Sequence, residues 1–179
     1  MAAEMAGQLQ LPPRAGSRPR TSTEIPHCQL DQQPGDSRHA DAVLAQALTW
    51  PSVHGQPSVI SVEGARALTL DPGAAAGPAE AFLAGREFCH AHAQGDFSLH
   101  ATLPLPLAAA AEQAGWAEPH FLVHTGEAPA TVVMLYAPRD DLERDVVLRL
   151  VRASYQFALA RSGQRMAGTY ERPPARKPI

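Results

Sequence analysis

Several features are scarce in this sequence, and each shortage excludes a class of protein. It has only two cysteines, Cys28 and Cys89, far apart in 179 residues, which favours reduced thiols in a cytoplasm over a disulfide framework. No apolar run approaches the ~20 residues that are needed to cross a bilayer. The N-terminus also lacks the basic start and following apolar stretch of a secretory signal. The net charge is −3, without the basic, aromatic-rich face of a nucleic-acid binder. We therefore expect a cytoplasmic protein with neither a membrane nor a nucleic acid as partner.

Apolar residues and prolines, by contrast, are abundant. Hydrophobic residues make up 45% of the chain, enough for one globular domain with a sizeable core. Prolines are dense in residues 11–35, where they prevent a helix and favour extended backbone. This arm is either a loose leader or a strap over the folded body. We expect a disordered leader over residues 1–10, a globular body over residues 36–162 and a flexible tail over residues 163–179.

The spacing of apolar residues predicts an α+β fold, with a single antiparallel sheet of four to six strands packed with about three helices. Helices and strands do not alternate regularly enough for a parallel, doubly wound sheet. A Gly-rich phosphate loop, a GxSxG elbow and a CxxC pair are all absent from the sequence. The predicted helices cover residues 36–50, 106–114 and 140–160, and the predicted strands cover residues 58–62, 66–70, 86–93, 97–103 and 131–137. Residues 79–83 are either a further strand or a lead into the next hairpin, and residues 116–126 are irregular. The inward stripe expected on the last helix is Leu142, Val146, Leu150, Ala153 and Phe157.

Three histidines fall in one predicted hairpin, residues 86–103, with its turn at residues 94–96. Side chains alternate between the faces of a strand, so His90 and His92 share one face. A three-residue loop would place His90 opposite His100 and crowd all three imidazoles into one patch. A loop one residue longer or shorter would turn His100 to the other face. Two hydroxyl side chains are expected beside the patch: Ser98 and Thr102.

Three interpretations of this patch remain open from the residues alone. Neutral imidazoles can bind a first-row divalent metal ion and leave positions for oxygen or water. Crowded imidazoles cannot all be protonated cheaply, so at least one can act as a base near neutral pH without a metal. The third interpretation is a packing trio with no ligand. The other histidines are expected at the surface: His27, His39, His54 and His124.

The neighbours of the patch also have alternative interpretations. On an ideal strand Glu87 points away from His90 and reaches it only through a bulge. Glu87 then either orients a histidine or forms a salt bridge with Arg139, which could instead bind an anion. Trp116 is more often a core anchor than a platform for a ring substrate. Cys89 alternates to the face opposite His90, so we expect it in the core.

A series of motifs in fixed order resembles a known family. The order is GSRP in the arm, REFCHAH, SLHATLP, GWAEPH, YAPRDD, and then a long helix containing VVLRLVRASY. Over residues 11–160 this resembles the domain of the fungal luciferases and its bacterial relatives, the luciferase-like proteins. The fungal enzymes oxidise a hydroxylated pyrone with molecular oxygen and are not known to need a cofactor. Two departures are the absence of their hydrophobic N-terminal segment, which favours a soluble protein, and Phe121 where the family commonly has proline.

The resemblance implies an α+β luciferase-like protein that acts as an oxygen-dependent oxidoreductase, an oxygenase. Its substrate would be a small conjugated or aromatic hydroxylated molecule in a histidine-lined pocket, and its cofactor either none or a divalent transition metal. The alternative is a non-catalytic small-molecule or metal-binding protein of the same fold, and a homodimer is left open. The expected catalytic residues are His90, His92, His100, Glu87, His120 and Arg139, the expected substrate-binding residues are Ser98, Thr102, Trp116 and Tyr136, and the expected metal ligands are His90, His92 and His100.

Overall fold

The structure is a computed structural model that describes residues 10–160 of the chain. The predicted leader, apart from Gln10, and the predicted tail lie outside the described residues. No helix within the described range is long and apolar enough to span a bilayer.

The described chain forms one six-stranded sheet in which every neighbouring pair of strands is antiparallel. Its spatial order is β1-β2-β3-β4-β6-β5, which confirms the predicted sheet at the upper end of its range. The strands are β1 (Val53–Pro57), β2 (Arg66–Leu70), β3 (Glu87–Ala91), β4 (Leu99–Thr102), β5 (Ala117–Pro119) and β6 (Val132–Leu135).

In the part of the chain that the structure describes, four α-helices accompany the sheet, one more than the sequence predicts. They are α1 (Arg38–Ala47), α2 (Leu105–Gln113), α3 (Phe121–Thr125) and α4 (Asp141–Leu159). The start of α4 is fixed by Asp140, whose side chain accepts a hydrogen bond of 2.8 Å from the backbone N–H of Glu143. Such a cap satisfies an N–H group that would otherwise lack a partner within the helix. The α+β class is confirmed.

The hydrophobic core lies between one face of the sheet and the helices α1 and α4. Helix α4 packs on α1 and on the central strands β3 and β4. Alternation along these strands sends Cys89 and Ala91 of β3, and Leu99 and Ala101 of β4, into the core, where all four are fully buried. The other face of the same two strands is therefore the one that presents the histidines.

One strand prediction near the N-terminal edge of the sheet is corrected. Residues 58–62 form a loop, and the strand that pairs with Arg66–Leu70 is the preceding segment, Val53–Pro57. The apolar run at 58–62 has higher β-propensity, but β1 is an edge strand with one partner, where a proline is tolerated. Of the two alternatives for residues 79–83, the structure agrees with a lead into the hairpin, which contains a 3₁₀ helix, Ala79–Ala81.

Two further predictions fail at the other end of the chain. Residues 116–126, predicted irregular, contain β5 and α3, because β5 completes the sheet by pairing with β6. Leu142, placed in the inward stripe of α4, is 79% exposed, and the first inward residue of α4 is Glu143. The rest of the predicted stripe is confirmed, since Val146, Leu150 and Ala153 are buried and Phe157 packs against the core. The buried face of α4 also holds Ser154 and Tyr155, polar side chains that periodicity alone does not select.

The Pro-rich arm lies against the folded body, as the strap alternative predicts. Its Arg14 backbone N–H donates to the carbonyl oxygen of Ala114 at 2.8 Å. The buried Gln29 accepts a hydrogen bond on its side-chain oxygen from the N–H of Ala137 at 2.9 Å, and its own N–H donates to Asp96 at 3.1 Å. The arm therefore connects the end of β6 with the histidine hairpin.

Candidate active site

The predicted register of the histidine hairpin is confirmed. His90 pairs with His100 across β3 and β4, and the backbone N–H of His92 donates to the carbonyl oxygen of Ser98 at 2.9 Å. The turn contains Gly95 at a φ of +83°, a conformation in which glycine is favoured. The rings of His90, His92 and His100 consequently lie on one face, with His100 5.0 Å from each of the other two between ring centroids.

A bulge in β3 brings Glu87 to the same face. Leu68 of β2 pairs with Cys89, but the next residue, Thr69, pairs with Glu87, so Phe88 is the extra residue of the bulge. The Glu87 carboxylate lies 2.6 Å from Nδ1 of His90 and accepts a second hydrogen bond from the hydroxyl of Ser58 at 3.0 Å. Of the two partners expected for Glu87, the structure provides the histidine.

A chain of hydrogen bonds runs from Glu87 through His90 to His100. An ionised carboxylate can only accept hydrogen bonds, so Nδ1 of His90 carries the ring proton and Nε2 is unprotonated, with a lone pair. That lone pair lies 3.0 Å from Nδ1 of His100, which must donate. In neutral His100 the remaining nitrogen, Nε2, is then an acceptor, and within the described chain it is buried with no hydrogen-bond partner.

Burial keeps these imidazoles neutral. Desolvation is the main cause that lowers the pKa of His90, and it lowers the pKa of His100 well below its usual value, with the neighbouring histidines adding to the effect. A crowded set of imidazoles cannot be protonated together without strong repulsion. Lone pairs, and not positive charges, therefore dominate this part of the site.

His92 has a carboxylate partner of its own, which the sequence-based interpretation missed. Its Nδ1 lies 2.9 Å from Asp96, four residues further along the hairpin, and Asp96 also accepts hydrogen bonds from Ser98 and from the arm. Ser98 therefore lies near the patch, as expected, but its hydroxyl is bound to Asp96. Cys28 of the arm has its sulfur 4.0 Å from Nδ1 of His92. Burial and the nearby Asp96 raise the pKa of the Cys28 thiol to about 12, so it remains protonated.

The arm contributes a fourth histidine to the site, and the prediction that His27 lies at the surface is wrong. His27 is 3% exposed, and its ring stacks on that of His100 with a centroid separation of 5.4 Å. Its Nε2 lies 3.0 Å from Glu118 of β5, which also accepts a hydrogen bond of 2.9 Å from the hydroxyl of Tyr136. Burial would raise the pKa of Glu118, but hydrogen bonds from His27, Thr21 and Tyr136 together lower it.

His120 is the fifth histidine of the cluster and lies directly before α3. Its Nδ1 accepts a hydrogen bond of 3.2 Å from the backbone N–H of Leu122, which makes it the N-cap of this helix. Its ring lies 4.9 Å from that of His100 and 4.6 Å from that of His27 between centroids. Burial, followed by repulsion from His27, lowers the pKa of His120 to about 4. Neutral His120 thus presents Nε2–H as a donor.

These five imidazoles line a cavity of about 530 Å³, within the range of about 300–1,000 Å³ typical of small-molecule sites. The remaining wall is mainly apolar, and two carboxylates, Glu63 and Glu127, also line it. Neither lysine nor arginine lines the cavity within residues 10–160. The five lining histidines are His27, His90, His92, His100 and His120.

Besides Glu87 and Ser98, four residues expected at the site do not line this cavity. The guanidinium of Arg139 binds Glu143 and the arm carbonyl of Ala15, because the start of α4 turns it away from the histidines. The hydroxyl of Thr102 donates to the carbonyl oxygen of Ala81 at 2.8 Å. Trp116 is a core residue whose indole N–H donates to the carbonyl oxygen of Pro12 at 2.6 Å. The hydroxyl of Tyr136 donates to Glu118.

Among residues 10–160, three groups of side chains have ligand atoms close enough together to hold a metal ion. In each group the ligand atoms lie within 4.8 Å of one another. The groups are His90 with His92 and His100, His27 with His100 and His120, and Cys28 with His92 and Asp96. In the last, the thiol is protonated and the carboxylate is already filled by donors, so the group is poorly suited to a metal.

Fold and site together define an α+β protein with a small-molecule-sized cavity floored by histidines. Residues 85–154 match the family model described as Luciferase domain. The match covers less than half of the chain and includes both hairpin strands, β5, β6 and most of α4. It supports the assignment of the chain to a luciferase-like domain family, the family that the motifs predict. Neither a curated protein nor a solved structure matches the chain.

Proposed function

We propose that this luciferase-like protein is an oxygen-dependent oxidoreductase that acts on a small conjugated or aromatic hydroxylated substrate in the histidine cavity. The proposal depends on one observation above all. The hydrogen-bond chain from Glu87 through His90 leaves Nε2 of His100 as a buried lone pair at a cavity of about 530 Å³.

The chemistry requires a proton acceptor and a place for electron-rich substrate. The hydroxyl of the substrate gives its proton to Nε2 of His100, and the resulting delocalised anion passes one electron to oxygen. The substrate radical and superoxide combine into a carbon–oxygen bond, and the peroxide oxygen takes the proton back from His100. One oxygen molecule adds to one substrate, so atoms and electrons balance without an external reductant.

The cavity supports this chemistry by its polarity. Burial and the neighbouring histidines lower the pKa of His100, and the hydrogen-bond chain through His90 to the Glu87 carboxylate opposes this effect when His100 takes the proton. The Nε2–H of His120 can donate to the oxygen anion. Arg139, expected from the sequence to hold the anion, does not line the cavity and instead binds Glu143 and the arm.

Oxygen uptake by the purified full chain, with a panel of hydroxypyrones and polyphenols, tests the proposal. We expect uptake with at least one compound and a loss of about 10²–10⁴-fold in His100→Ala. The matched control is His124→Ala, which changes an exposed histidine and should behave as the unmodified chain. Equal uptake in His100→Ala and the control, with both folded, would contradict the assignment.

Non-catalytic binding of a small molecule is the second candidate, favoured by the apolar wall that Ile60, Leu83, Leu122 and Val132 form around the acceptor nitrogens. In that case a panel compound raises the melting temperature without oxygen uptake. Turnover of the same compound would exclude this candidate.

A further inference from the structure

Within the described chain, two of the histidines that line the cavity each have a ring nitrogen that lacks a hydrogen-bond partner. Nδ1 of His27 and Nε2 of His100 are both buried and, within the described residues, without a hydrogen-bond partner. The two side chains are 3% and 5% exposed. A buried polar atom left unpaired is costly, so such atoms in native proteins usually face a water, a ligand or an ion.

Both nitrogens are unprotonated and carry a lone pair, because the ring proton is on the opposite nitrogen, where it is donated in a hydrogen bond. Nε2 of His27 donates to Glu118, and Nδ1 of His100 donates to His90, which in turn donates to Glu87. Histidines that bind metals nearly always donate their other ring N–H to a carboxylate or a carbonyl, which fixes the tautomer and makes the ligand more basic. Here one carboxylate acts directly and the other acts through one intervening imidazole.

The charges around the cavity also favour a cation. Glu63 and Glu127 line the cavity, and Glu87, Asp96 and Glu118 lie behind the imidazoles. Along the described chain the lining includes no lysine or arginine that would repel a positive ion. Neutral imidazoles in a site with surrounding carboxylates are the ligands that zinc and similar ions prefer.

The third ligand available is His120. Its ligand atom lies within 4.8 Å of those of His27 and His100, whereas nitrogens on a tetrahedral ion are about 3.4 Å apart, given bonds of about 2.0–2.1 Å. Ring movements of about an ångström close that difference. The competing bond of His120, to the N–H of Leu122, is long at 3.2 Å and caps a helix of only five residues.

We propose that His27, His100 and His120 form a binding site for a divalent first-row transition ion such as Zn²⁺, with a fourth position open to the cavity. The trio expected from the sequence is less suitable, because Nε2 of His90 already accepts the N–H of His100. This role of the ion rests on the proposed function: the ion inhibits the oxygenase, because it occupies the nitrogen of His100 that accepts the substrate's proton.

Titration of the metal-free full chain with Co²⁺, followed by visible absorption, tests the site without any substrate. We expect one Co²⁺ per chain with the intense bands of a tetrahedral complex, and the same stoichiometry for Zn²⁺ by calorimetry. His27→Gln should abolish the bands, and Glu118→Gln should weaken binding about 10–100-fold. His92→Gln and the exposed His54→Gln should leave the bands unchanged.

The outcomes separate this proposal from the proposed function. Absence of Co²⁺ binding in the unmodified chain overturns it, as does binding that survives His27→Gln but is lost in His92→Gln. Thermal unfolding of each variant shows that it is folded, and Glu118→Gln keeps the test decisive if His27→Gln does not fold. Tetrahedral Co²⁺ without oxygen uptake supports the site while the oxygenase fails. Oxygen uptake that persists at saturating Zn²⁺ overturns the inhibition.

Discussion

His90 and His100 face each other across β3 and β4, with Nε2 of His90 3.0 Å from Nδ1 of His100. This contact gives His100 a defined tautomer, because the Glu87 carboxylate already fixes the proton of His90 on the other side of its ring. The unpaired acceptor of His100, a residue that lines the cavity, is thus determined by the Glu87 carboxylate through the intervening ring of His90.

Glu87→Gln should therefore impair turnover although Glu87 does not line the cavity. The amide can donate a hydrogen bond to Nδ1 of His90, which would move the proton of His90 to Nε2 and remove the acceptor for His100. We expect oxygen uptake to fall about 10–100-fold, measured at equal concentrations of folded protein. Glu80→Gln, at an exposed carboxylate, is the control, and equal rates for the two variants would show that the chain of hydrogen bonds is unimportant.

Gln29 is predicted to be essential for docking of the arm. Its buried side chain accepts from the N–H of Ala137, and its N–H donates to Asp96. Gln29→Ala leaves the Ala137 N–H without this partner, which should cost about 1–3 kcal/mol in the free energy of unfolding. Urea denaturation measures the loss, and limited proteolysis should cut the arm faster. Gln113→Ala, at the exposed end of α2, should change neither the free energy of unfolding nor the rate of cleavage. Equal effects of the two substitutions would show that Gln29 does not dock the arm.

Arg139→Met distinguishes a structural role of Arg139 from the catalytic role expected from the sequence. Glu143, 5% exposed, would lose its bonded guanidinium, and the arm would lose its bond at Ala15. We expect a lower melting temperature and a more easily cleaved arm, because the buried Glu143 carboxylate would lose its hydrogen-bonded guanidinium and keep only that of Arg14, 3.6 Å away. Oxygen uptake by the folded fraction should persist. A loss as large as that of His100→Ala would restore Arg139 to the site.

Gly77 is predicted to tolerate no side chain. A Cβ atom at this position would lie 2.5 Å from the carbonyl oxygen of Phe157, in the last turn of α4. Because the obstacle is backbone, Gly77→Ala should destabilise the fold by about 1–3 kcal/mol. Gly73→Ala is a close control, since a Cβ there meets nothing within 4 Å. Chemical denaturation of both variants tests the prediction, and equal stability would contradict the packing of this loop on α4.

The sequence was sufficient for the hairpin and its register because both depend on local rules. Alternation places His90 and His92 on one face, and the short turn with Gly95 places His100 opposite them. The same local rules identify α4, whose N-cap at Asp140 has a clear sequence signature. These features are within one element or between neighbouring ones.

The rest of the site could not be predicted because it depends on distant contacts. His27 lies in an arm without periodicity, and only its docking against Glu118 and His100 brings it into the cavity. Glu87 required a bulge that no residue pattern specified, although the need for one was foreseeable from alternation. Arg139 was misplaced because the local sequence gives no sign of the arm that it binds.

The tautomer of His100 can be measured directly from the imidazole nitrogen NMR shifts of the ¹⁵N-labelled, metal-free full chain at neutral pH. The signals of His100 are assigned by comparison with His100→Gln. We expect a neutral His100 with the proton on Nδ1 and an unprotonated Nε2. A His100 that carries its proton on Nε2, or on both nitrogens, would contradict this expectation, because the cavity would then have no lone pair on His100 to receive the substrate's proton.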